Sequence, residues 1–272
     1  MITDSNSHLG SIYDREGYEF WKRNREIPDR VIERYFSVME GVDRSIVVAF
    51  PQGPHLNDND CIAHFARRFS DRVAGFSLID PRERAIEQID RARGEWGAKG
   101  VHLAPIYQNF KPDDEAYFPM YAHLEKHRLP VIWFQGSSFE APDGPLEWAN
   151  PVLLDKVARS FPELKMMIAH FGSPWFTEVV ALIKKRPNVF TEISALSNRT
   201  WALYNALINA VQYGVEEKIL FGSEFPMQTP QQNREALQEV VALSERANLP
   251  RITPAVVQGI LERDTFALLG IS

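Results

Sequence analysis

A chain of 272 residues, 44% of them hydrophobic, can bury a sizeable core and fits one large α/β domain or two ordinary ones. Its net charge of −6 comes from mixed acidic and basic residues without a basic stripe, which argues against nucleic-acid binding. No apolar run reaches the roughly 18 residues of a membrane span. No leader-like segment precedes the first apolar run, and the single cysteine, Cys61, is typical of a small buried hydrophobe, so we expect a cytoplasmic protein.

Short apolar runs alternate with segments of helical periodicity along the whole chain. The predicted strands cover residues 2–8, 44–50, 72–80, 100–105, 130–136, 165–171, 189–194 and 218–225. The predicted helices cover residues 32–42, 61–69, 85–93, 117–127, 151–161, 175–185, 202–214, 236–248 and 253–270. The strands are almost wholly apolar, as expected of parallel strands that are buried on both faces.

Eight strand and helix units without a dividing linker predict a closed (β/α)8 barrel of the TIM type, with residues 1–272 as one domain. An open doubly wound sheet is the alternative, although eight strands would be long for it. In a barrel the active site lies at the carboxyl ends of the strands. The residues that close each strand are therefore the ones to examine for function.

Polar side chains close several of these apolar strands. Asn6 and His8 end the first strand and lie two residues apart, so they point the same way. His170 closes the sixth strand and Glu224 the eighth. A buried titratable group must be paired or used. The barrel arrangement therefore predicts that His8, His170 and Glu224 meet at its mouth.

Six motifs in the same order resemble the amidohydrolase superfamily, specifically its amidohydrolase-2 branch. They are DSNSHLG (4–10), GVHLAP (100–105), PVIWFQG (130–136), IAHFGSPWF (168–176), ILFGSEFP (219–226) and ILERDTFALLGI (260–271). The branch includes metal-dependent decarboxylases such as aminocarboxymuconate-semialdehyde decarboxylase and lactonases such as pyrone-dicarboxylate lactonase. The resemblance spans essentially the whole chain and implies the barrel fold and an acid–base or metal-assisted enzyme.

The metal-binding positions that the resemblance implies are altered in this chain. They fall on Asn6, His8, Phe134 and Glu224, where the family has three histidines and an aspartate. A catalytic zinc ion needs about three protein ligands. We therefore expect no cofactor, as in pyrone-dicarboxylate lactonase, which the chain resembles and which works without a metal. The open alternative is one divalent ion, zinc or manganese, held by His8, Glu224 and Asn6, with Glu192 or His102 reaching in.

Without a metal, Glu224 is the natural general base, and burial at the end of an apolar strand is expected to raise its pKa toward the useful range. His170, which corresponds to an acid/base residue of the family, and His8 can polarise a carbonyl or donate a proton. Asn6 can donate its amide hydrogen to a developing oxyanion. The alternatives are that both histidines are structural and that Glu224 only forms an ion pair, with Arg199 as a candidate partner.

Aromatic residues are frequent in the predicted loops after the strands, which indicates an apolar pocket with few polar anchors for a small molecule. The predicted substrate-binding residues are His102, Tyr107, Gln108, Phe134, Trp175 and Arg199, with Gln52 and Ser194 as weaker candidates. Arg199 is suited to hold a substrate carboxylate. The remaining histidines, for which solvated or packing roles are favoured, are His55, His64, His123 and His127.

The sequence thus predicts an amidohydrolase-like enzyme that hydrolyses a lactone, ester or amide-like bond of a small carbonyl or carboxyl compound. The first alternative is lyase chemistry at the same site, such as decarboxylation, dehydration or cyclisation. The second is a barrel that binds without turnover. A small molecule is the expected partner, nucleic acid and membrane are not, and the resemblance also implies a possible homodimer.

Overall fold

The computed structural model describes residues 1–10, 14–50, 56–138 and 141–271. Eight parallel strands are hydrogen-bonded in the order β1 to β8. They are β1 Thr3–Ser7, β2 Arg44–Val48, β3 Val73–Leu78, β4 Gly100–Leu103, β5 Val131–Trp133, β6 Met166–Ile168, β7 Val189–Glu192 and β8 Ile219–Leu220. All eight predicted strands are confirmed.

The first and last strands meet, which distinguishes a barrel from an open sheet. The amide of Ser5 donates to the carbonyl of Phe221 at 2.9 Å, and the amide of His8 donates to the carbonyl of Phe225 at 2.7 Å. A parallel bridge joins Ser7 to Phe225. The predicted single-domain (β/α)8 barrel is confirmed, and the doubly wound alternative is wrong.

Helices follow the strands and form the outer layer. They are α1 Arg15–Asn24, α2 Asp29–Val38, α3 Asn59–Arg68, α4 Ala85–Gly94, α5 Pro105–Gln108, α6 Phe118–Lys126, α7 Leu154–Ser160, α8 Phe176–Lys185, α9 Thr200–Tyr213, α10 Pro230–Arg246, α11 Pro254–Glu262 and α12 Thr265–Leu269. The single helix predicted over 253–270 is wrong, because Arg263 has extended backbone angles and Asp264 then caps α12. Among the described helices, none is long and apolar enough to cross a membrane.

The barrel interior is packed with side chains from alternate strand positions. Ile46 and Val48 of β2 join the interior cluster, whereas Val47 between them packs outward against the helices. Gly100 leaves the space that the buried ring of Phe76 fills, because a side chain at Gly100 would collide with that ring. Leu269 of α12 belongs to the same interior cluster. The helix α12 therefore closes the bottom of the barrel and leaves the mouth open at the opposite end.

Candidate active site

Glu224 lies at the centre of the barrel mouth, between two imidazoles. Its carboxylate oxygens are 3.5 Å from Nε2 of His8 and 3.6 Å from Nε2 of His170. The Glu224 side chain is 12% exposed, and all three residues line one cavity. The prediction that the ends of β1, β6 and β8 bring these side chains together is thus matched by the geometry.

Left-handed backbone turns direct these side chains. His170, Ala195 and Glu224 have φ angles of 56°, 60° and 62° just after β6, β7 and β8. Residues with a β-carbon avoid this region, and each such turn costs on the order of 1 kcal/mol or more unless the surroundings enforce it. Here the surroundings do so, because the amide of Glu224 donates to the carbonyl of Asn6 at 2.8 Å and the amide of His170 donates to Glu192 at 2.7 Å.

Asn6 holds carboxylates rather than facing the cavity. Its amide nitrogen lies 3.1 Å from Oε2 of Glu224, 3.2 Å from Oε1 of Glu192 and 3.3 Å from Oγ of Ser194. Asn6 is buried and does not line the cavity. Its donors are therefore directed at the acids of the site, and the predicted role as an oxyanion donor does not agree with this placement.

A buried chain of hydrogen bonds orients His170. The hydroxyl of Ser194 donates to Oε1 of Glu192 at 2.8 Å, so Nδ1 of His170 donates to Ser194 Oγ, also at 2.8 Å. This leaves Nε2 of His170 on the side of Glu224 and the cavity. Gly222 provides the space for the Glu192 carboxylate, which a side chain at that position would displace.

Sequence reasoning left the positioning role of Glu192 and Ser194 unassigned. Glu192 is fully buried at the end of β7, and its carboxylate accepts hydrogen bonds from Asn6, His170 and Ser194. The available signal was an acid inside an otherwise apolar strand, since such a group must have internal partners. Ser194 was predicted as a weak substrate anchor, yet its hydroxyl is occupied by Glu192 and His170.

The pKa of Glu224 is opposite to the expectation. Burial alone raises it, but the imidazoles of His170 and His8 outweigh burial and lower the pKa of Glu224 to about 2. Burial also opposes the charge on His8, yet its interaction with Glu224 raises the pKa of His8 above 6.5. The predicted rise in the pKa of Glu224 is wrong because that prediction considered burial but not the two adjacent imidazoles.

A cavity of about 620 Å³ opens above Glu224. Phe50, Tyr107 and Phe134 form its aromatic wall, with the Tyr107 and Phe134 ring centroids 5.0 Å apart. The Phe134 ring also lies edge-on to His170 at 5.0 Å. Arg199 also lines the cavity, and its guanidinium donates to the carbonyl of Ala195 at 2.8 Å. The cavity therefore combines an aromatic wall, the guanidinium of Arg199, and the carboxylate and imidazoles of the acid–base group.

Three of the predicted substrate-binding residues do not line this cavity. His102 directs Nδ1 to the carbonyl of Ala49 at 2.7 Å, and burial lowers the pKa of His102 to about 4. Gln108 is occupied by backbone partners, accepting from the amide of Ala104 and donating to the carbonyl of Ile79. Trp175 precedes α8 outside the cavity wall.

Sequence reasoning also missed polar residues of the cavity wall. Asn198 and Gln228 line it, next to Arg199 and after Glu224 respectively. The signal for Asn198 was its place beside Arg199 in the loop after β7. Gln52 and His55 lie outside the described residues.

A family model described as Amidohydrolase matches residues 9–265. The chain belongs to the amidohydrolase family. The match confirms the resemblance to the amidohydrolase-2 branch that the strand-end motifs indicate. Comparison with curated proteins finds no match.

Solved structures share the fold of this amidohydrolase at low sequence identity. An uncharacterised TIM-barrel protein from Bordetella bronchiseptica has a TM-score of 0.75 and 23% identity, with 99% of this chain and 98% of that chain covered. A probable 2-pyrone-4,6-dicarboxylic acid hydrolase from Acinetobacter baumannii, with citric acid bound, has a TM-score of 0.70 and 14% identity, with 99% of each chain covered. A dihydroxybenzoic acid decarboxylase from Polaromonas sp. JS666, with bound manganese and 2-nitroresorcinol, has a TM-score of 0.65 and 16% identity, with 99% and 96% covered.

The mouth of this amidohydrolase does not fit the family's metal ion. Phe134 cannot ligate, and the amide nitrogen rather than an oxygen of Asn6 faces Glu224. Among the described residues, the only group of three or more His, Cys, Asp or Glu whose ligand atoms lie within 4.8 Å of one another is Asp90, His123 and His127, and this group excludes His8 and Glu224.

The broader expectation that the protein uses no metal is nevertheless unsupported. The decarboxylase of similar fold contains manganese, and the described part of this chain includes a group outside the mouth that could hold an ion. The mouth itself provides a carboxylate between two imidazoles.

Proposed function

We propose that this amidohydrolase hydrolyses a lactone, ester or amide-like bond in a small unsaturated or aromatic carboxylate, by acid–base catalysis at Glu224, His8 and His170. The observation that carries the proposal is the Glu224 carboxylate 3.5–3.6 Å from both imidazoles at the floor of the cavity. Acid–base groups placed in this way typically contribute about 10²- to 10⁴-fold to rate.

In the proposed reaction, a water molecule held by Glu224 gives a proton to that carboxylate and attacks the substrate carbonyl carbon. In the same step the Nε2 proton of His8 goes to the leaving oxygen or nitrogen as its bond to that carbon breaks, and the proton on Glu224 then returns to His8. A carboxylate with a pKa of about 2 is a weak base in the resting site. Because the positive charge of His8 is lost in this same step, the basicity of Glu224 rises as it takes the proton of water. His170, oriented by Ser194, polarises the carbonyl oxygen.

Arg199 is the proposed anchor for a substrate carboxylate. Among the residues that the structure describes, no carboxylate lies within ion-pair distance of its guanidinium, which instead contacts the Ala195 carbonyl and the Ser173 hydroxyl. A planar guanidinium binds a carboxylate through two parallel hydrogen bonds. The aromatic wall of Phe50, Tyr107 and Phe134 suits a flat unsaturated body attached to that carboxylate.

Binding without turnover is the less favoured reading. Phe134 stands in the cavity wall and does not fill the cavity, so a substrate can reach Glu224. Among the described residues, the ion-pair partners of Glu224 are His8 and His170 and include no arginine, which argues against a purely structural ion pair with Arg199. Imidazole partners can give up or accept protons near neutral pH, as catalysis needs.

The test is a panel of pyrone-type lactones and aryl esters that carry a carboxylate, with products identified by mass spectrometry. We expect hydrolysis by the wild type and a loss of about 10²- to 10⁴-fold in kcat for Glu224→Gln. Glu33→Gln, at an exposed site on α2, is the matched control and should retain full activity. Equal rates for Glu224→Gln and the wild type, or no hydrolysis of any compound, would reject the proposal.

Decarboxylation is the second candidate, favoured by the raised pKa of His8. A protonated imidazole facing an aromatic wall can protonate a ring carbon, after which the carboxylate leaves as CO₂. The dihydroxybenzoic acid decarboxylase of similar fold gives a substrate class to include in the panel. Release of CO₂ with loss of a carboxyl group would support this reading, whereas gain of one water would support hydrolysis.

A further inference from the structure

A histidine pair stands on the outer helical layer, away from the mouth. The segment HLEKH places His123 in α6 and His127 at its carboxyl end. Residues four apart on a helix lie on the same face, and the two ring centroids are 4.5 Å apart. Two histidines at this spacing on a helix are a recurring arrangement for binding a metal ion.

Asp90 of helix α4 adds a third ligand. Its Oδ1 is 2.8 Å from Nε2 of His123, and one ligand atom from each residue lies within 4.8 Å of the others. Arg93, one turn along α4, approaches the same oxygen at 3.7 Å and is the cation that an ion would have to displace. The Asp90 side chain is half exposed, so small rotamer changes can adjust the geometry.

The ligand set indicates which ions fit. Tetrahedral coordination at about 2.1 Å places neighbouring ligand atoms about 3.4 Å apart, which falls inside the range of this cluster. Two imidazoles and one carboxylate suit Zn²⁺, Co²⁺ or Ni²⁺, whereas Mg²⁺ and Ca²⁺ prefer oxygen ligands. The exposed side of the cluster leaves a fourth position for water.

The position of the cluster indicates a structural role. Helices of a (β/α)8 barrel run opposite to the strands, so the end of α6 lies toward the bottom face. His127 is four residues before β5 begins at Val131, which confirms that it lies far from the mouth. We propose that Asp90, His123 and His127 bind one Zn²⁺ or a similar transition-metal ion that fixes α4 against α6.

The test is isothermal titration of chelator-treated, dialysed protein with ZnCl₂, paired with thermal unfolding. We expect about one ion per chain, an ion-dependent rise in Tm, and affinity at least about tenfold weaker in Asp90→Asn and His127→Asn. His64→Gln, which removes a histidine of α3 outside the cluster, should bind as the wild type does. Circular dichroism checks that the variants remain folded.

Binding at the mouth is distinguished by Glu224→Gln, which should retain the zinc site. Saturable binding that persists in His127→Asn and disappears in Glu224→Gln would overturn the proposal. So would a wild type that shows no saturable binding, or equal affinity in the wild type and both cluster variants.

Discussion

At the scale of single residues, the Glu224 carboxylate sets the charge of its surroundings. Burial opposes ionisation of both Glu224 and His8, yet each favours the charged form of the other. Their 3.5 Å separation is longer than an ideal charged hydrogen bond, which leaves room for a substrate or water to compete. The coupling between Glu224 and His8 can therefore be measured without any substrate.

Replacing Glu224 with Gln should lower the pKa of His8. In the wild type the interactions with Glu224 are the main causes that raise the pKa of His8 against burial, so removing that carboxylate should lower the pKa. NMR titration of the histidine ring protons measures the change, with Glu33→Gln as the control. A His8 titration that is the same in both variants would contradict the coupling.

His8 and Glu224 both stabilise the fold, but their contributions depend on pH in opposite directions. The raised pKa of His8 contributes stability that is fully present below pH 6.5 and is lost as pH rises through the folded-state pKa. The lowered pKa of Glu224 contributes stability that is present above about pH 4.5 and is lost as pH falls toward 2. The pair therefore stabilises the fold most between these limits.

At the scale of elements, buried amide side chains tie helix ends to strands. Asn188, immediately before β7, directs Nδ2 to the carbonyls of Ala158, Phe161 and Leu164 at 3.0–3.2 Å. These carbonyls belong to the end of α7 and the turn into β6, where helical partners are missing. The Asn188 side chain thus holds the loop between α7 and β6 against the residue that precedes β7.

Asn188→Ala should reduce the free energy of unfolding by about 2–3 kcal/mol, because buried carbonyls lose their donor. Urea unfolding followed by circular dichroism measures the loss. Asn205→Ala on α9 removes one exposed bond to the Trp201 carbonyl and should change stability by less than about 0.5 kcal/mol. Equal effects of the two substitutions would show that Asn188 does not hold this junction.

At the scale of the whole molecule, the fold depends on closing β1 against β8. Asp4 lies fully buried at this seam, where Oδ1 accepts from the amide of Ser223 at 2.9 Å and from the amide of Asn6 at 3.2 Å. Its Oδ2 has no hydrogen-bond partner among the described residues. Burial, with a smaller contribution from the Glu192 charge, raises the pKa of Asp4 to about 7.

Asp4→Asn should therefore gain stability relative to the wild type as pH rises from about 4 to 7. The unfolded chain releases the Asp4 proton near pH 3.8 while the folded protein retains it to about pH 7, so ionisation costs the wild type at most about 4 kcal/mol. Urea unfolding at several pH values measures the difference. The difference in free energy of unfolding between wild type and variant should not change with pH for Asp143→Asn, at an exposed site. A difference that does not change with pH for Asp4→Asn would show that the pKa of Asp4 is not raised.

Local patterns in the sequence determined the eight strands, the barrel and the meeting of His8, His170 and Glu224. This was possible because parallel strands in one barrel bring their carboxyl ends to the same face, so the order of residues along each strand suffices. The motifs likewise determined the amidohydrolase family.

Only the tertiary structure decided what each polar group does once it arrives there. The direction of the Glu224 pKa shift, the turn of Asn6 toward Glu192, and the use of Gln108 by backbone partners all depend on contacts between residues distant in sequence. The pairing of Asp90 with His123 across two helices depends on such contacts too. Charge and hydrogen-bond energies fall off over a few ångströms, so spacing along the chain does not determine them.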